Sequence, residues 1–383
     1  MAVRAAAAAV LLLGGRVAAR NQGYVDSRPW LPRQPIAGAV PADVLVAEEE
    51  LPQAFDWRSV GGQNYAVSDW NQHVPVYCGS CWIHGTLSAL NDRIKIMRKA
   101  EWPDVRLGRQ TVMDCVPGKN LSEPPPGCNG GDSWMIHKYL TEHKVPDETC
   151  MPYQAKNMAC DASNNCRNCL PDGSETGKCW PIKHYTGYGV KTYGNVSGEK
   201  AMMKEIYARG PIACSFATDM RFMFQYSEVA VQHEGVYVSN KTFTVDDVDH
   251  VMEVAGWGET PSGLKYWVIR NSWGTFWGDA GWLKLLRGAN DSLVEASCDW
   301  AVPTWDELDD ELDGKVLGSY ASGVHPVGEF AKGLASQEEL RSPAPWCAPY
   351  LMAALVGALA ALAGAAACGA SPRAALRQSP LLG

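Results

Sequence analysis

The chain has 383 residues, 46% of them hydrophobic and 20% charged, with a formal net charge of −8. That is material for one large domain or two ordinary ones, and it is not the composition of a disordered chain. The acidic balance removes the electrostatic footprint of a sequence-independent nucleic-acid binder, so neither DNA nor RNA is an expected partner.

Residues 1–19 read as a secretory signal: a basic start at Arg4, an apolar run from Ala5 to Leu13, and small residues ending at Ala18 and Ala19. The run is too short to span a bilayer, and the mature chain is expected in an oxidising lumen. Residues 20–50 carry several prolines and little periodicity, and read as a short prosegment or a spacer. Residues 51–303 are uniformly globular in texture, rich in Trp and Gly, and form the expected working domain. Sequons at Asn120, Asn195, Asn240 and Asn290 fit a luminal surface, each a weak signal alone.

Residues 304–345 open with Asp306, Glu307, Asp309, Asp310, Glu311 and Asp313 and continue rich in Gly, Ser and Pro. Such a tract cannot bury enough apolar surface to offset its ordering entropy, and reads as a flexible acidic stalk. The uncharged run 346–370 is long enough to cross ~30 Å of hydrocarbon. Arg373 and Arg377 follow it, which makes it a candidate transmembrane helix with residues 371–383 as a short cytosolic tail. Its Ala and Gly content leaves a lipid-anchor signal, or no insertion, as the alternative.

The chain has 13 cysteines, and setting aside Cys347 and Cys368 in or beside that run leaves an odd number in the lumen. Five disulfides then leave one thiol unpaired, which in a secreted chain asks for a reason. The sharpest local feature is Gln72-His73-Val74-Pro75-Val76-Tyr77-Cys78-Gly79-Ser80-Cys81-Trp82. Behind it Ile83, Leu87, Leu90, Ile94 and Met97 alternate at spacings of four and three, which predicts one apolar stripe of an amphipathic helix. Cys81 thus falls at a helix N-terminus, where unpaired backbone N–H groups favour the nucleophilic thiolate. By spacing alone, Cys78 and Cys81 admit a structural crosslink, a redox pair or a catalytic nucleophile.

Cys78-Gly79-Ser80-Cys81-Trp82 matches the papain and cathepsin signature. It is joined by Phe55-Asp56-Trp57-Arg58, Cys128-Asn129-Gly130-Gly131, Asp249-His250, Gly256-Trp257-Gly258, and Asn271-Ser272-Trp273-Gly274 followed by Trp277-Gly278. With these, residues 51–303 resemble the papain-like cysteine peptidases, and within them the cathepsin X branch, also called cathepsin Z. The likeness to that branch lies in Gln72 standing nine residues before Cys81 rather than six, through His73-Val74-Pro75. It lies also in Asp147-Glu148-Thr149-Cys150 and in the cysteines at 150, 160, 166 and 169. The resemblance implies an α+β, papain-like two-lobed fold, with a helical left lobe, a β-barrel-like right lobe and the active-site cleft between. Strands are expected near 210–219, 251–258, 266–271 and 281–288.

By the same resemblance Cys81 is the nucleophile, His250 its base and Asn271 the group that orients the base, with Trp273 covering their bond. Gln72 and the Cys81 N–H are the oxyanion donors. His73 binds the substrate's terminal carboxylate, Asn129, Gly130 and Gly131 form a cleft wall, and Tyr77 helps line the cleft. The implied bridges are Cys78–Cys128, Cys115–Cys160, Cys150–Cys166, Cys169–Cys179 and Cys214–Cys298. Taken alone, Cys166-x-x-Cys169 also admits a zinc site. No metal or cofactor is expected.

The expected activity is that of a cysteine-type carboxypeptidase, taking one residue at a time from peptides or proteins with free C-termini. It is expected to work best at acidic pH, where His73 is protonated. The protein is expected as a monomer of the secretory pathway, in a lysosome or the extracellular space, tethered to a membrane. Two rivals stand beside this: a papain-like endopeptidase without that restriction, and a catalytically silent, membrane-displayed binding protein on the same scaffold. Intact Cys81, His250, Asn271 and Gln72 speak against the silent scaffold. The chain departs from the family pattern in having no cysteine before Cys78 to cap the nucleophile, Ile83 where alanine is usual, and the acidic stalk and anchor.

Overall fold

A computed structural model describes residues 23–34, 36, 38–119 and 125–306. The signal, Asn120, the stalk from residue 307 onward, the 346–370 run and the tail lie outside the described residues. In chain order the elements are β1 (Phe55–Asp56), α1 (Cys81–Met97), α2 (Arg109–Cys115), α3 (Ser133–Glu142), α4 (Ala162–Asn165), β2 (Arg167–Leu170), β3 (Lys178–Pro181), β4 (Tyr188–Val196), α5 (Glu199–Arg209), β5 (Ile212–Phe216), α6 (Met220–Ala230), β6 (Val236–Tyr237), β7 (His250–Glu259), β8 (Lys265–Arg270), β9 (Trp282–Leu286) and β10 (Cys298–Trp305).

The main sheet runs β4-β10-β5-β7-β8-β9-β6, with β1 added on β7. Its pairs are antiparallel except β6 with β9. Strands β2 and β3 form a separate hairpin. Helices and sheet make the α+β architecture expected from the resemblance. The bridges are Cys78–Cys128, Cys115–Cys160, Cys150–Cys166, Cys169–Cys179 and Cys214–Cys298, and Cys81 is the free cysteine among the described residues. Both sulfurs of the Cys166-x-x-Cys169 pair are therefore consumed in crosslinks.

Two cores meet at the sheet because successive strand residues point to opposite faces. Ala213, Val251 and Ala301 turn toward the helical core with Trp82, Ile83, Leu87 and Ile94 of α1. Their neighbours Cys214, Met252 and Val302 turn toward the second core with Met202, Ile206 and Phe222. At Gly85 an added Cβ would meet Val251 O at 2.8 Å, so this glycine lets α1 lie directly on β7.

The helix after Cys81 differs from its sequence expectation. All but Lys95 and Met97 of α1 are buried, including the polar side that the apolar stripe assigns to solvent. Buried polar groups are costly unless paired, and several of those on this side find partners. Asn91 Oδ1 accepts from Leu107 N at 3.0 Å. Arg93 donates to Pro211 O, Ala301 O, Gly210 O and Glu205.

Strands β4 and β10 were not among the expected strands, and β10 runs past Pro303 to Trp305. Pro303 is accommodated at a register shift, where its missing N–H interrupts no regular ladder. Asp306 then pairs with Lys144 at 2.7 Å and accepts from Gly187 N at 2.6 Å. The first three residues assigned to the stalk thus belong to the packed body. Among the described residues no helix is long and apolar enough to cross a membrane.

Asp92 of α1 joins Glu253, Asp69 and Arg270 in a buried cluster with three carboxyls and one guanidinium. Arg270 lies 2.5 Å from Asp92, 3.3 Å from Glu253 and 3.3 Å from Asp69. Burial pushes the Glu253 carboxyl well above the usual carboxylate range, against the pull of Arg270, and the charge of Asp92 adds to the rise. A carboxyl raised on folding contributes stability that is complete below its unfolded pKa and is lost as pH rises toward the folded value. Glu253→Gln is therefore expected to match the parent near pH 4.5 and to exceed it in urea midpoint at pH 8. A variant that instead loses ground as pH rises would show Glu253 to be ionised in the fold.

Candidate active site

Cys81 is the first residue of α1 and is fully buried. Burial raises its thiol pKa, helped by the charge of Asp249. Backbone hydrogen bonds from Val251, Trp82 and Cys81 itself act the other way, toward the thiolate.

His250 is the first residue of β7, and Asn271 follows the last residue of β8. Their strands are neighbours, with Glu253 opposite Arg270, and this brings the two side chains together. His250 Nε2 lies 2.9 Å from Asn271 Oδ1. The other ring nitrogen, Nδ1, is buried with no hydrogen-bond partner among the described residues. Burial lowers the His250 pKa to about 4; the Asn271 bond raises it and His73 lowers it further. The Trp273 ring lies 5.0 Å from the imidazole, tilted by 30°, and is itself buried.

Gln72 sits in a turn with no regular element around it, yet it is fully buried. Its backbone N donates to Ser272 O at 2.8 Å. Its Nε2 donates to Cys78 O at 3.0 Å, and Ser272 Oγ donates to its Oε1 at 2.7 Å. Cys78 O can only accept, which settles which end of the amide carries the donors, and Nε2 faces the chain leading to Cys81.

In the insert, His73 stacks on Tyr77 with rings 4.8 Å apart and 8° from parallel. Burial lowers the His73 pKa, and its Nδ1 is buried without a partner among the described residues. Tyr77 is 65% exposed, yet close enough to Cys81 and Asp249 for their charges to add to the burial that raises its own pKa. Gly130 and Gly131 are buried, and Asn129 is exposed beside them.

Residues missed by the sequence reading pair with Gly131. The Gly23–Val25 stretch pairs in parallel with Gly131: Val25 N donates to Gly131 O at 2.9 Å and Gly131 N to Gly23 O at 3.0 Å. Tyr24 N donates to Asp249 O, beside His250, at 3.2 Å. Gly23 has φ +109°, and a Cβ there would stand 2.0 Å from Gly79 O, two residues before Cys81. Glycine is needed for both reasons.

The same segment is held further along by Arg33. Its Nη2 lies 2.9 Å from Asp132 and 3.8 Å from Asp299, both carboxylates buried, and its guanidinium covers the Trp134 ring. Ser27 N donates to Asp132 at 2.7 Å, and Arg33 Nη1 donates to Ser27 Oγ at 2.9 Å. The segment is therefore packed against Gly131, Asp132 and Asp249. Its prolines and two arginines, Arg28 and Arg33, offered no local signal of a buried counterpart far along the chain.

A model of the papain family cysteine proteases matches residues 51–302. Cathepsin Z of Onchocerca volvulus is 42% identical over 263 residues, covering 67% of this chain and 79% of that protein. Cathepsin B-like CP2 of Giardia intestinalis is 28% identical over 263 residues, covering 67% and 76%. Among solved structures, digestive procathepsin L 3 from the larval midgut of Tenebrio molitor aligns with a TM-score of 0.52 at 22% identity, covering 73% of this chain and 76% of that one. The ragweed pollen cysteine protease Amb a 11, in its proform, gives 0.53 at 23% identity over 74% of each chain. At such identities these two structures speak for the fold alone. With a free cysteine heading α1, a histidine–asparagine pair joined across β7 and β8, and a family match over most of the chain, this protein belongs to the papain family of cysteine proteases.

Proposed function

We propose that this protein is a cysteine-type carboxypeptidase of the secretory lumen, removing one residue at a time from free C-termini, and that residues 23–34 keep it latent. The observation that carries the specificity is His73, an imidazole with a buried, unpartnered nitrogen, held flat against Tyr77 and near enough to His250 to affect its titration. A terminal carboxylate would satisfy that nitrogen and form a charge-assisted hydrogen bond with the imidazolium.

In the reaction Cys81 attacks the scissile carbonyl as His250 takes its proton, and Asn271 holds the ring in the productive tautomer. Gln72 Nε2 and the Cys81 N–H stabilise the oxyanion, each such donor typically contributing about 2.7–4 kcal/mol to the transition state. Gly130 and Gly131 let substrate backbone lie close to the wall, as Gly23–Val25 does now. His250 then protonates the leaving amine, and water releases the acyl group.

Latency follows from burial. Burial pushes the thiol up and the imidazole down to about 4, which favours the neutral pair, and the seated segment adds to that burial in this reading. Removal of the segment rehydrates both groups and favours the thiolate–imidazolium pair. The five disulfides support an oxidising compartment.

The test compares matched peptides ending in a free acid or an amide, across pH, with His73→Ala alongside. The parent is expected to prefer the free acid by at least about 10-fold, the equivalent of one charge-assisted hydrogen bond. The preference should grow as pH falls toward the lowered His73 pKa. Equal rates on both peptides, or a preference that survives in His73→Ala, would remove the carboxypeptidase reading and leave an endopeptidase.

A further inference from the structure

We propose that Tyr153 is a positioning residue, whose hydroxyl ties the Gln72 backbone to Ser80 and so sets the oxyanion donor against the nucleophile. Tyr153 is 8% exposed, and its O–H donates to Gln72 O at 2.8 Å. The same oxygen lies 2.6 Å from Ser80 Oγ. A carbonyl has no hydrogen to give, so the tyrosine proton goes to Gln72 and the Ser80 hydroxyl must donate to Tyr153.

The next link has its own direction. His84 Nδ1 lies 3.0 Å from Ser80 O and 3.2 Å from Ser80 Oγ. The carbonyl is an acceptor only, so this network assigns the hydrogen to Nδ1. Burial lowers the His84 pKa and holds the ring neutral. The chain thus runs from His84 through Ser80 and Tyr153 to Gln72 in one sense, fully buried and ending on the oxyanion residue.

Tyr153 is well placed to act as the fixed point. Its backbone N donates to Glu148 Oε1 at 2.9 Å, and Glu148 Oε2 accepts from Arg109 N at 3.0 Å, at the start of α2. Its ring meets His84 edge-on at 4.8 Å. Burial pushes its pKa up to about 12, so the proton that reaches Gln72 is retained throughout the working range. Gln72 lies on an irregular turn, where an error of about 1 Å can cost on the order of 100-fold in rate. Ser272 orients the side-chain amide, and Tyr153 holds the backbone from which that amide extends.

The inference rests on the reading of Gln72 as oxyanion donor, and the experiment separates the two. Hydrolysis by the protein processed to its active form is measured for Tyr153→Phe, Gln72→Ala and the double variant, with the rate of Cys81 alkylation by iodoacetate. Alkylation builds no oxyanion, so it reports the nucleophile alone. Tyr153→Phe is expected to lower kcat roughly 10- to 100-fold with KM nearly unchanged, and to leave alkylation at the parental rate. In the Gln72→Ala background it should add almost nothing. Ser80→Ala, which cuts the same tie and keeps the tyrosine ring, should lower kcat in the same direction.

A parental kcat in Tyr153→Phe overturns the inference, as does a full additional loss in the Gln72→Ala background. Parallel loss of alkylation and turnover overturns it too, because that marks general damage. If Gln72→Ala itself keeps the parental kcat, the oxyanion reading falls first and this inference with it.

Discussion

Cys81→Ala is expected to abolish peptide hydrolysis, a loss on the order of 10⁶-fold in kcat, without unfolding the protein. In the proposed mechanism the sulfur is the group that attacks, and alanine supplies none. The remaining contacts of α1 with β7 and the Cys78–Cys128 crosslink are untouched. His250→Ala should lose nearly as much, and the double variant little more, because nucleophile and base act as one unit. Turnover of free-acid peptides and urea midpoints on the same preparations check this. Residual hydrolysis within about 100-fold of the parent in Cys81→Ala would place the nucleophile elsewhere and end the proposed mechanism.

Arg33→Ala is expected to unmask Cys81 in the unprocessed chain. Arg33 is the cation between two buried carboxylates, and removing one partner of such a set typically costs about 3–5 kcal/mol. If that cost falls on the seating of residues 23–34, alkylation of Cys81 accelerates on the order of 10²–10³-fold at pH 7. Burial holds the Asp299 pKa at about 6, with Arg33 pulling it down and Asp132 pushing it up. Above that value Asp299 is ionised and holds Arg33; below it the attraction fades. The difference between parent and variant should therefore be largest above pH 6 and shrink on acidification. An alkylation rate that Arg33→Ala leaves at the parental value would show that the segment is held by something else.

Much of the site was legible because its signals are local. An odd cysteine count, an apolar stripe beginning after Trp82 and the Cys-Gly-Ser-Cys-Trp motif all concern residues close in sequence. His250 and Asn271 became legible through motifs, and only the adjacency of β7 and β8 explains why they touch. The helix at Cys81 was read with the right start and the wrong surroundings. Periodicity reports which face is apolar, but it cannot report that Asp92 and Arg93 will find Arg270 and Glu205 on the other side.

The segment before residue 51 and the role assigned to Tyr153 lay beyond sequence reasoning for the same cause. Ser27 meets Asp132 across 105 residues, and Tyr153 meets Gln72 across 81. Neither separation leaves a period or a spacing to detect. The amino-acid sequence by itself determined which atom could be a nucleophile and where its helix begins, since a lone cysteine and a repeating apolar pattern are properties of the local chain. Only the tertiary structure decided which distant groups surround that atom, which buried charges are compensated and what lies across the cleft, because burial and pairing depend on elements that meet only after the chain has folded.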